Sequence, residues 1–422
     1  MAKLREVLKN KNFFFLWLGQ IISQFGDRLN QMALIALVYQ RTPGSALELA
    51  KLISFTIIPV FIIGPVAGVY VDRWDRRRTM YICDFLRAGI IFLIPFLFFF
   101  KQSMFPIYIL IFLAFSLGRF FVPAKMSIVP DLVKEKDLLL ANSLINTTGM
   151  IAAALGFGLS GILISWIGPR GGFYLDSLSF FVSASFIFFI SSKINSYKKE
   201  GFLDLGREVL EVIKKSVASE IKEGIFYLTK NKDLRYIVLI LFMLWAALGS
   251  IYTVVIIFVQ GALNSVTKDL GLLVMFLGVG LFLGAILYGK FGQKSSLFKI
   301  IFLSLALSGL VLIVFTTALI YAPSFFMAAA LISILGISVS PIMIACNTLT
   351  HQASDSEMRG KVFSSLEVVI HLAFLISMFL SAFIADKIGH TRVLVGVGLI
   401  LVLSGVLGVI FNDRNRRAQR IN

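Results

Sequence analysis

The chain has 422 residues, of which 58% are hydrophobic and 15% charged, and its mean hydropathy is +0.89. A soluble domain is about half apolar and about a quarter charged, so the soluble, secreted and disordered classes are excluded. The formal net charge of +17 could suggest nucleic-acid binding, but the placement of the basic residues indicates membrane topology instead. We therefore predict a polytopic, all-α membrane protein.

Twelve apolar segments can each cross a bilayer, which takes a helix of about 20 apolar residues. Helices are predicted because a segment in hydrocarbon must satisfy its own backbone polar groups. The first segment is too long for a signal-peptide core and is predicted to be an uncleaved span. The predicted spans are 13–39, 47–71, 79–100, 105–124, 140–167, 172–192, 234–259, 270–290, 297–318, 323–346, 361–385 and 391–411.

The basic residues define the predicted orientation. Both termini and the connections after even-numbered segments carry 30 of the 40 lysines and arginines. Basic residues accumulate on the cytoplasmic side, so both termini are predicted to be cytoplasmic, in a bacterial-type inner (plasma) membrane. Attraction to anionic lipid heads is a second interpretation of the same charge.

One long polar connection, 193–233, divides the spans into two groups of six. We predict a six-helix bundle over 1–192, a cytoplasmic linker over 193–233 and a second six-helix bundle over 234–422. Apolar residues at helical spacing within the linker predict an amphipathic helix on the membrane surface or against the bundle. A simple linker between the halves is the alternative.

The two halves repeat a glycine pattern. Gly64 and Gly68 end the second segment, Gly280 and Gly284 occupy the matching place in the eighth, and a basic turn follows each pair. Six-helix halves related in this way are typical of secondary transporters, whose binding site lies between the halves near the middle of the membrane.

The turn after the second segment resembles the loop signature of the major facilitator superfamily, G-x-L-A-D-R-x-G-R-K. An acidic residue replaces the usual glycine at position 75, which resembles the twelve-helix branch of macrolide efflux proteins and the enterobactin exporter. The resemblance covers nearly the whole chain and implies two pseudo-symmetric bundles that work by alternating access. The matching stretch is Gly68-Val69-Tyr70-Val71-Asp72-Arg73-Trp74-Asp75-Arg76-Arg77.

The resemblance also implies a cytoplasmic gate. In the family this loop latches the gate, so Asp72 would face the start of the eleventh segment near 360–362 and Asp131 would pair with Arg73 or Arg76. A carboxylate is stabilised at the positive N-terminus of a helix. Positive-inside charge alone is the alternative. The predicted gate residues are Gly64, Gly68, Asp72, Arg73, Asp75, Arg76, Arg77 and Asp131.

The first segment carries a polar stripe at helical spacing. Its only acid, Asp27, lies 14 residues beyond Phe13, roughly 21 Å along the helix and therefore near mid-depth. A charge there costs about 3 kcal/mol and should face water or a partner. We predict a proton-coupling group or a counter-ion for a cationic substrate, with a structural Asp27–Arg pair as the alternative. The stripe comprises Gln20, Ser23, Gln24, Asp27, Asn30 and Gln31.

Other polar residues inside the predicted spans give weaker signals. Arg119 falls where the superfamily often keeps a functional arginine, although the residues around it do not match that motif. Glu367 and His371 are four residues apart on one helix face and could relay a proton, or simply pair. Asp84 and Arg87 are spaced for a structural intrahelical pair.

The fifth segment departs from the antiporter signature G-P-x-x-G-G. Phe157 replaces the proline and Ser160 replaces a glycine. The departure keeps the transporter interpretation but weakens the assignment to antiport. Ala152, Gly156 and Ser160 form a small-residue face that predicts close helix packing.

The predicted function is proton-coupled efflux of an amphipathic, drug- or siderophore-like small molecule by a monomer in the lipid bilayer. The alternatives are lysophospholipid or divalent-metal transport on the same fold and, more remotely, a non-transporting scaffold or sensor. The sequence shows no enzyme constellation, metal-ligand cluster or ATPase phosphate loop. We therefore predict no enzymatic activity, no cofactor, no bound metal and no nucleic-acid partner.

Overall fold

The structure is a computed structural model that describes residues 4–64, 67, 70–71, 74–100, 103–191, 232–292, 296–353 and 359–421. Its described residues are helices joined by short turns. Gly68, Asp72, Arg73 and nearly all of the 193–233 linker lie outside this part of the chain.

The helices follow the predicted segments and extend past most of their ends, because a helix continues to satisfy its own backbone beyond the apolar stretch. In chain order they are α1 (Leu4–Lys9), α2 (Lys11–Arg41), α3 (Ala46–Ile62), α4 (Arg76–Phe100), α5 (Phe105–Leu132), α6 (Leu138–Phe188), α7 (Lys232–Leu263), α8 (Lys268–Phe291), α9 (Leu297–Tyr321), α10 (Phe325–Ala353), α11 (Arg359–Ile388) and α12 (His390–Ile421).

Glycines with positive φ separate spans at two tight connections. Gly168 has φ 71° and precedes Pro169, so α6 consists of two helices joined at this point, which matches the predicted fifth and sixth spans. Gly389 has φ 98° and separates α11 from α12. Left-handed backbone of this kind favours glycine, because a Cβ would be strained there.

Nine helices among the described residues are long and apolar enough to cross a membrane, and α6 counts once in that number. The 31-residue α2 is also long enough, but its polar stripe interrupts its apolar sequence. The α3 helix has 17 residues within its bounds. The all-α membrane fold is therefore confirmed, and the division of α6 together with α2 and α3 accounts for the predicted twelve spans.

The chain forms two compact units, taken here through their described residues. The first covers Met1–Val38 and Leu52–Ser219, and the second covers Tyr39–Lys51 and Glu220–Asn422. In the first unit α4 packs against α5 and α6, whereas in the second α7 packs against α11, α8 against α10, and α9 against α12. The predicted domain boundaries at 192 and 234 stay predictions.

Residues 39–51 belong to the second unit because the start of α3 is bonded there. The carboxylate of Asp386, near the end of α11, accepts hydrogen bonds from the Ser45 hydroxyl at 2.9 Å and the Ala46 backbone N–H at 2.8 Å. A carboxylate at a helix N-terminus satisfies backbone donors that have no partner within the helix.

Candidate functional site

A polar cavity of about 190 Å³ lies in the first unit, between the stripe of α2 and the facing sides of α4 and α5. The α2 stripe faces it because side chains three or four residues apart share one side of a helix. The described residues that line it are Gln20, Ser23, Gln24, Asp27, Arg28 and Gln31 of α2, Arg87 of α4, and Phe115, Gly118, Arg119, Phe121, Val122 and Lys125 of α5.

Asp27 is held in this cavity by an arginine of α4. The Arg87 Nη2 donates to the Asp27 Oδ1 at 2.8 Å. The Asp27 side chain is 31% exposed and that of Arg87 is 10% exposed, so the carboxylate faces the cavity while the guanidinium lies deeper. The guanidinium carbon also lies 3.8 Å from the centre of the Phe180 ring. The structure thus contains an Asp27–Arg pair whose acid is reachable from the cavity.

Two further carboxylates lie behind this pair and are fully buried. The Asp84 Oδ2 accepts a hydrogen bond from the Ser183 hydroxyl at 2.7 Å, and the Asp84 Oδ1 lies 3.8 Å from Arg87. Asp176 accepts a hydrogen bond from the Asn30 amide at 2.8 Å. The predicted intrahelical Asp84–Arg87 pair is therefore the looser of the two ion pairs of Arg87, because the pair with Asp27 is shorter.

The predicted site residues divide into three locations. Asp27, Gln31 and Arg119 line the cavity together. Asn30 is 4% exposed and supports Asp176 behind it. Glu367 and His371 belong to the second unit, on α11.

Glu367 and His371 do contact each other. The His371 Nδ1 lies 3.3 Å from the Glu367 Oε2 and 2.7 Å from the Glu367 carbonyl oxygen, and the ring stacks on Trp245 with centroids 5.9 Å apart. The Glu367 side chain is 62% exposed. This geometry suits pairing on one helix face, and a proton relay stays a prediction.

Arg28 points to α6 instead of toward an acid. Its Nη1 donates to the Gln31 Oε1 at 3.2 Å, and its guanidinium carbon lies 4.9 Å from the centre of the Phe157 ring. A Cβ added at Gly156 would lie 2.9 Å from the Arg28 Cγ. Glycine at 156 therefore makes room for the Arg28 stem, and Phe157 supplies an aromatic face for its charge.

The described arginines of the predicted gate motif connect the start of α4 to neighbouring helix ends by hydrogen bonds. The Arg76 Nη1 donates to the Asp131 Oδ2 at 2.7 Å and to the Ser127 carbonyl at 2.8 Å, both on α5. Arg77 donates to the Ile187 carbonyl at 3.3 Å and to that of Phe188 on α6.

The remaining gate residues differ in what the structure shows of them. The Asp75 Oδ1 accepts the Arg78 backbone N–H at 2.8 Å, so this acid caps α4. A Cβ added at Gly64 would meet no atom of the described residues within 4 Å. Gly68, Asp72 and Arg73 lie outside the described residues.

Among the charged residues of the cavity, the sequence does not single out Arg87 and Lys125 as site residues. Arg87 was assigned to Asp84 because the two are three residues apart, and Lys125 was counted among the basic residues of a loop. A usable signal for Lys125 was the spacing of Arg119, Val122 and Lys125, which places the three side chains along one side of α5.

Comparison with known proteins identifies the family. The sequence matches the profile described as Major Facilitator Superfamily over residues 16–316 and 237–421. It is 23% identical over 412 residues to Macrolide efflux protein A of Streptococcus pyogenes, covering 95% of this chain and 96% of that protein. It is 26% identical over 420 residues to the Putative bacilysin exporter BacE of Bacillus amyloliquefaciens, covering 97% and 98%.

Solved structures agree on the fold. A bacterial homologue of the iron transporter ferroportin in an inward-facing state superposes with a TM-score of 0.71 at 14% identity, covering 97% of this chain and 100% of that one. The nucleoside transporter NupG gives 0.72 at 11% identity, covering 94% and 98%. At such identities the likeness concerns the fold alone. This chain belongs to the Major Facilitator Superfamily, whose members are membrane transporters and not enzymes.

Proposed function

We propose that the protein exports an amphipathic, drug- or siderophore-like small molecule in exchange for protons, by alternating access. Two relatives that match nearly the whole chain are named for efflux or export, one for macrolides and one, as a putative exporter, for bacilysin. The transporter would act as a monomer in a bacterial plasma membrane with both termini in the cytoplasm.

The observation that carries the proton coupling is the accessible ion pair in the cavity. Asp27 contacts Arg87 at 2.8 Å, and its side chain is 31% exposed. A proton that enters the cavity and binds Asp27 removes the charge that holds Arg87. Because α2 carries the acid and α4 the base, protonation would loosen the contact between these two helices. Protonation and helix arrangement would thereby be coupled, as proton-driven alternating access requires.

The test is Asp27→Asn in sealed proteoliposomes that contain a pH-sensitive dye. We expect proton movement driven by erythromycin to fall to the level of empty vesicles, because the amide cannot take up the proton. Glu135→Gln is the matched control, since it neutralises an exposed acid outside the cavity. Unchanged proton movement in Asp27→Asn, at equal protein content, would show that Asp27 does not couple transport to protons.

The cargo class is tested by thermal unfolding of the detergent-purified protein with a macrolide, a siderophore, a cationic dye, a lysophospholipid and a divalent metal. Ligand at a hundredfold its Kd stabilises the folded state by about 2.7 kcal/mol, which a thermal shift detects. We expect stabilisation by a drug or siderophore. Stabilisation only by lysophospholipid or by metal would overturn the cargo proposal and leave the fold unaffected.

We further propose that the loop containing Asp72 latches the cytoplasmic gate. The support comes from two arginines of the same motif. Arg76 and Arg77, at the start of α4, donate hydrogen bonds to residues near the ends of α5 and α6. Asp72→Asn is expected to increase the labelling of cysteines placed on the cytoplasmic side, because an amide binds a helix N-terminus less strongly than a carboxylate does. Labelling that stays at the wild-type rate would contradict the latch.

A further inference from the structure

A strip of aromatic and titratable side chains lies on the second unit, where α7 packs against α11. We call it the α7–α11 strip, and it consists of Trp245 and Tyr252 on α7 and Glu367, His371 and Phe374 on α11. Residues three, four or seven apart share one side of a helix, so each helix presents its members together. The proposed proton exchange and gate involve none of these five residues.

Ring contacts make the α7–α11 strip continuous. The His371 ring stacks on Trp245 with centroids 5.9 Å apart, and the Phe374 ring meets Trp245 edge-on at 6.3 Å. Tyr252 meets the same Phe374 ring edge-on at 5.6 Å. The two helices can approach this closely because α7 has a glycine between its two aromatic residues. A Cβ added at Gly249 would overlap the backbone of Phe374.

One end of the strip is an exposed acid. The Glu367 side chain is 62% exposed, although the residue belongs to the apolar span Ser365–Ile388. Its ion-pair contact among the described residues is with His371 at 3.3 Å, and that ring is charged only when protonated. Asp27 of the first unit, by contrast, contacts the permanently charged Arg87. A carboxylate inside a span is costly in hydrocarbon, so Glu367 should face water or a cation.

The aromatic members of the strip continue from that acid into the span. Trp245 lies ten residues beyond Arg235, where the α7 span begins, and Tyr252 lies seven residues further. They are roughly 15 and 25 Å along the span, deeper than the surface belts in which Trp and Tyr usually concentrate. Tyr252 is 37% exposed, and Trp245 and Phe374 are half-buried. Aromatic surface is therefore available beside the acid.

We infer that the α7–α11 strip binds an amphipathic organic cation, with Glu367 as its counter-ion and the three aromatic side chains as its apolar surface. Cations are attracted by carboxylates and by the faces of aromatic rings, most strongly by that of tryptophan. The inference rests on the proposed transport function and narrows its cargo to organic cations. It moves the predicted counter-ion for a cationic substrate from Asp27, which Arg87 already pairs with, to Glu367.

Binding of tritiated tetraphenylphosphonium, a cation with four phenyl rings, tests the site in the full-length protein purified in an uncharged detergent. We expect saturable binding whose Kd rises at least about tenfold in Glu367→Gln, because opposite charges near a protein surface attract strongly. Trp245→Leu should raise the Kd severalfold, and Trp245→Phe, which keeps a ring, should raise it less. No saturable binding to the wild-type protein, or an unchanged Kd in Glu367→Gln, would overturn the inference.

Matched controls remove the same residue types elsewhere. Glu135→Gln neutralises an exposed acid and Trp166→Leu removes a tryptophan that is 76% exposed, both in the first unit, and neither should change the Kd. Asp27→Asn decides between the two candidate counter-ions. Binding that is lost in Asp27→Asn and kept in Glu367→Gln would place the cation in the cavity of the first unit and overturn the inference.

A second measurement separates charge from apolar affinity. Displacement of tetraphenylphosphonium by 4-phenylbutylamine, a cation at neutral pH, is compared with displacement by 4-phenylbutanol, which is uncharged and of similar size. Stronger displacement by the amine, with the difference lost in Glu367→Gln, supports the inference. Equal displacement, stronger displacement by the alcohol, or a preference for the amine that persists in Glu367→Gln would contradict it.

These outcomes are separable from the proton-exchange proposal, because binding in detergent needs no proton gradient. Selective cation binding at Glu367, together with unchanged proton movement in Asp27→Asn, would refute the coupling alone. Intact proton-coupled movement of erythromycin without selective cation binding would refute the cation site alone.

Discussion

Ion pairs and hydrogen bonds to buried carboxylates link the helices of the first unit, whereas glycines packed against neighbouring backbone bring helices of the second unit together. In the first unit Asp27 joins α2 to α4, Asn30 joins α2 to α6 through Asp176, and Asp84 joins α4 to α6 through Ser183.

In the second unit several glycines bring helix backbones into direct contact. A Cβ added at Gly280 of α8 would overlap the carbonyl oxygen of Ser333 on α10, and one at Gly249 of α7 would overlap that of Phe374 on α11. A Cβ at Gly309 of α9 would lie 2.5 Å from the carbonyl oxygen of Gly398 on α12. Small residues allow helices to approach closely in a membrane, where packing replaces the hydrophobic effect.

The contrast shows that a repeated pattern can serve different purposes in the two halves. Gly64 and Gly280 hold matching places in the repeat, yet a Cβ at Gly64 would meet open space among the described residues. Ionisable groups inside a membrane are costly and mark functional sites. The buried intramembrane carboxylates that the structure describes, Asp84 and Asp176, belong to the first unit, and there we place the chemistry; the second unit supplies tightly packed helix pairs.

The largest expected effect comes from removing the base at the centre of the polar network. Arg87→Met leaves Asp27 and Asp84 without their cation and should lower the free energy of unfolding by about 3 kcal/mol, since a lone buried charge is uncompensated. Denaturant titration of the purified protein measures it.

Two further variants control the Arg87 experiment. Arg78→Met removes an arginine whose side chain is 70% exposed and should change stability little. Asp27→Asn combined with Arg87→Met should recover part of the loss, because one stranded charge is removed. If the double variant is no more stable than Arg87→Met, the Asp27–Arg87 contact does not explain the loss.

An intermediate effect is expected at the glycine contact of the second unit. Gly280→Ala forces a Cβ against the backbone of Ser333 and should destabilise by about 1–3 kcal/mol, the usual cost of overpacking. Gly64→Ala is its repeat-related control, and it should stabilise slightly, by about 0.5–1 kcal/mol, through helix propensity. Equal changes in the melting temperature of the two variants would refute the different roles assigned to the two glycines.

Much of the fold could be predicted from the sequence. The length of each apolar segment and the charges beside it predict a membrane span without knowledge of the other spans. The break at Gly168 and Pro169 was also predictable, since the gap between the fifth and sixth spans contained them. Asp27 could be predicted as a site residue, because an acid inside an apolar segment is costly and therefore indicates a functional or paired position.

The partner of Asp27 could not be predicted, because Arg87 lies 60 residues away and the choice between Asp27 and Asp84 depends on which helix faces meet. The lining of the cavity could not be predicted for the same reason, because it comes from three helices. Lys125 lies one residue beyond the predicted fourth span, 105–124, although the helix continues to Leu132.

The smallest loss of stability is expected from a single serine of the second unit, and its comparison with a serine of the first unit sharpens the contrast between the units. The Ser308 and Ser338 hydroxyls are 2.8 Å apart between α9 and α10. Ser308→Ala should cost about 0.6 kcal/mol, the average for such bonds in membranes. Ser183→Ala removes a donor to the buried carboxylate of Asp84 and should cost more, about 1.5–3 kcal/mol, because the acceptor is an acid. Unfolding titrations of both variants in one detergent give the comparison. If Ser308→Ala proved as costly as Ser183→Ala, the polar contacts of the first unit would be no stronger than those of the second. The placement of the functional site in the first unit would then rest on the cavity alone.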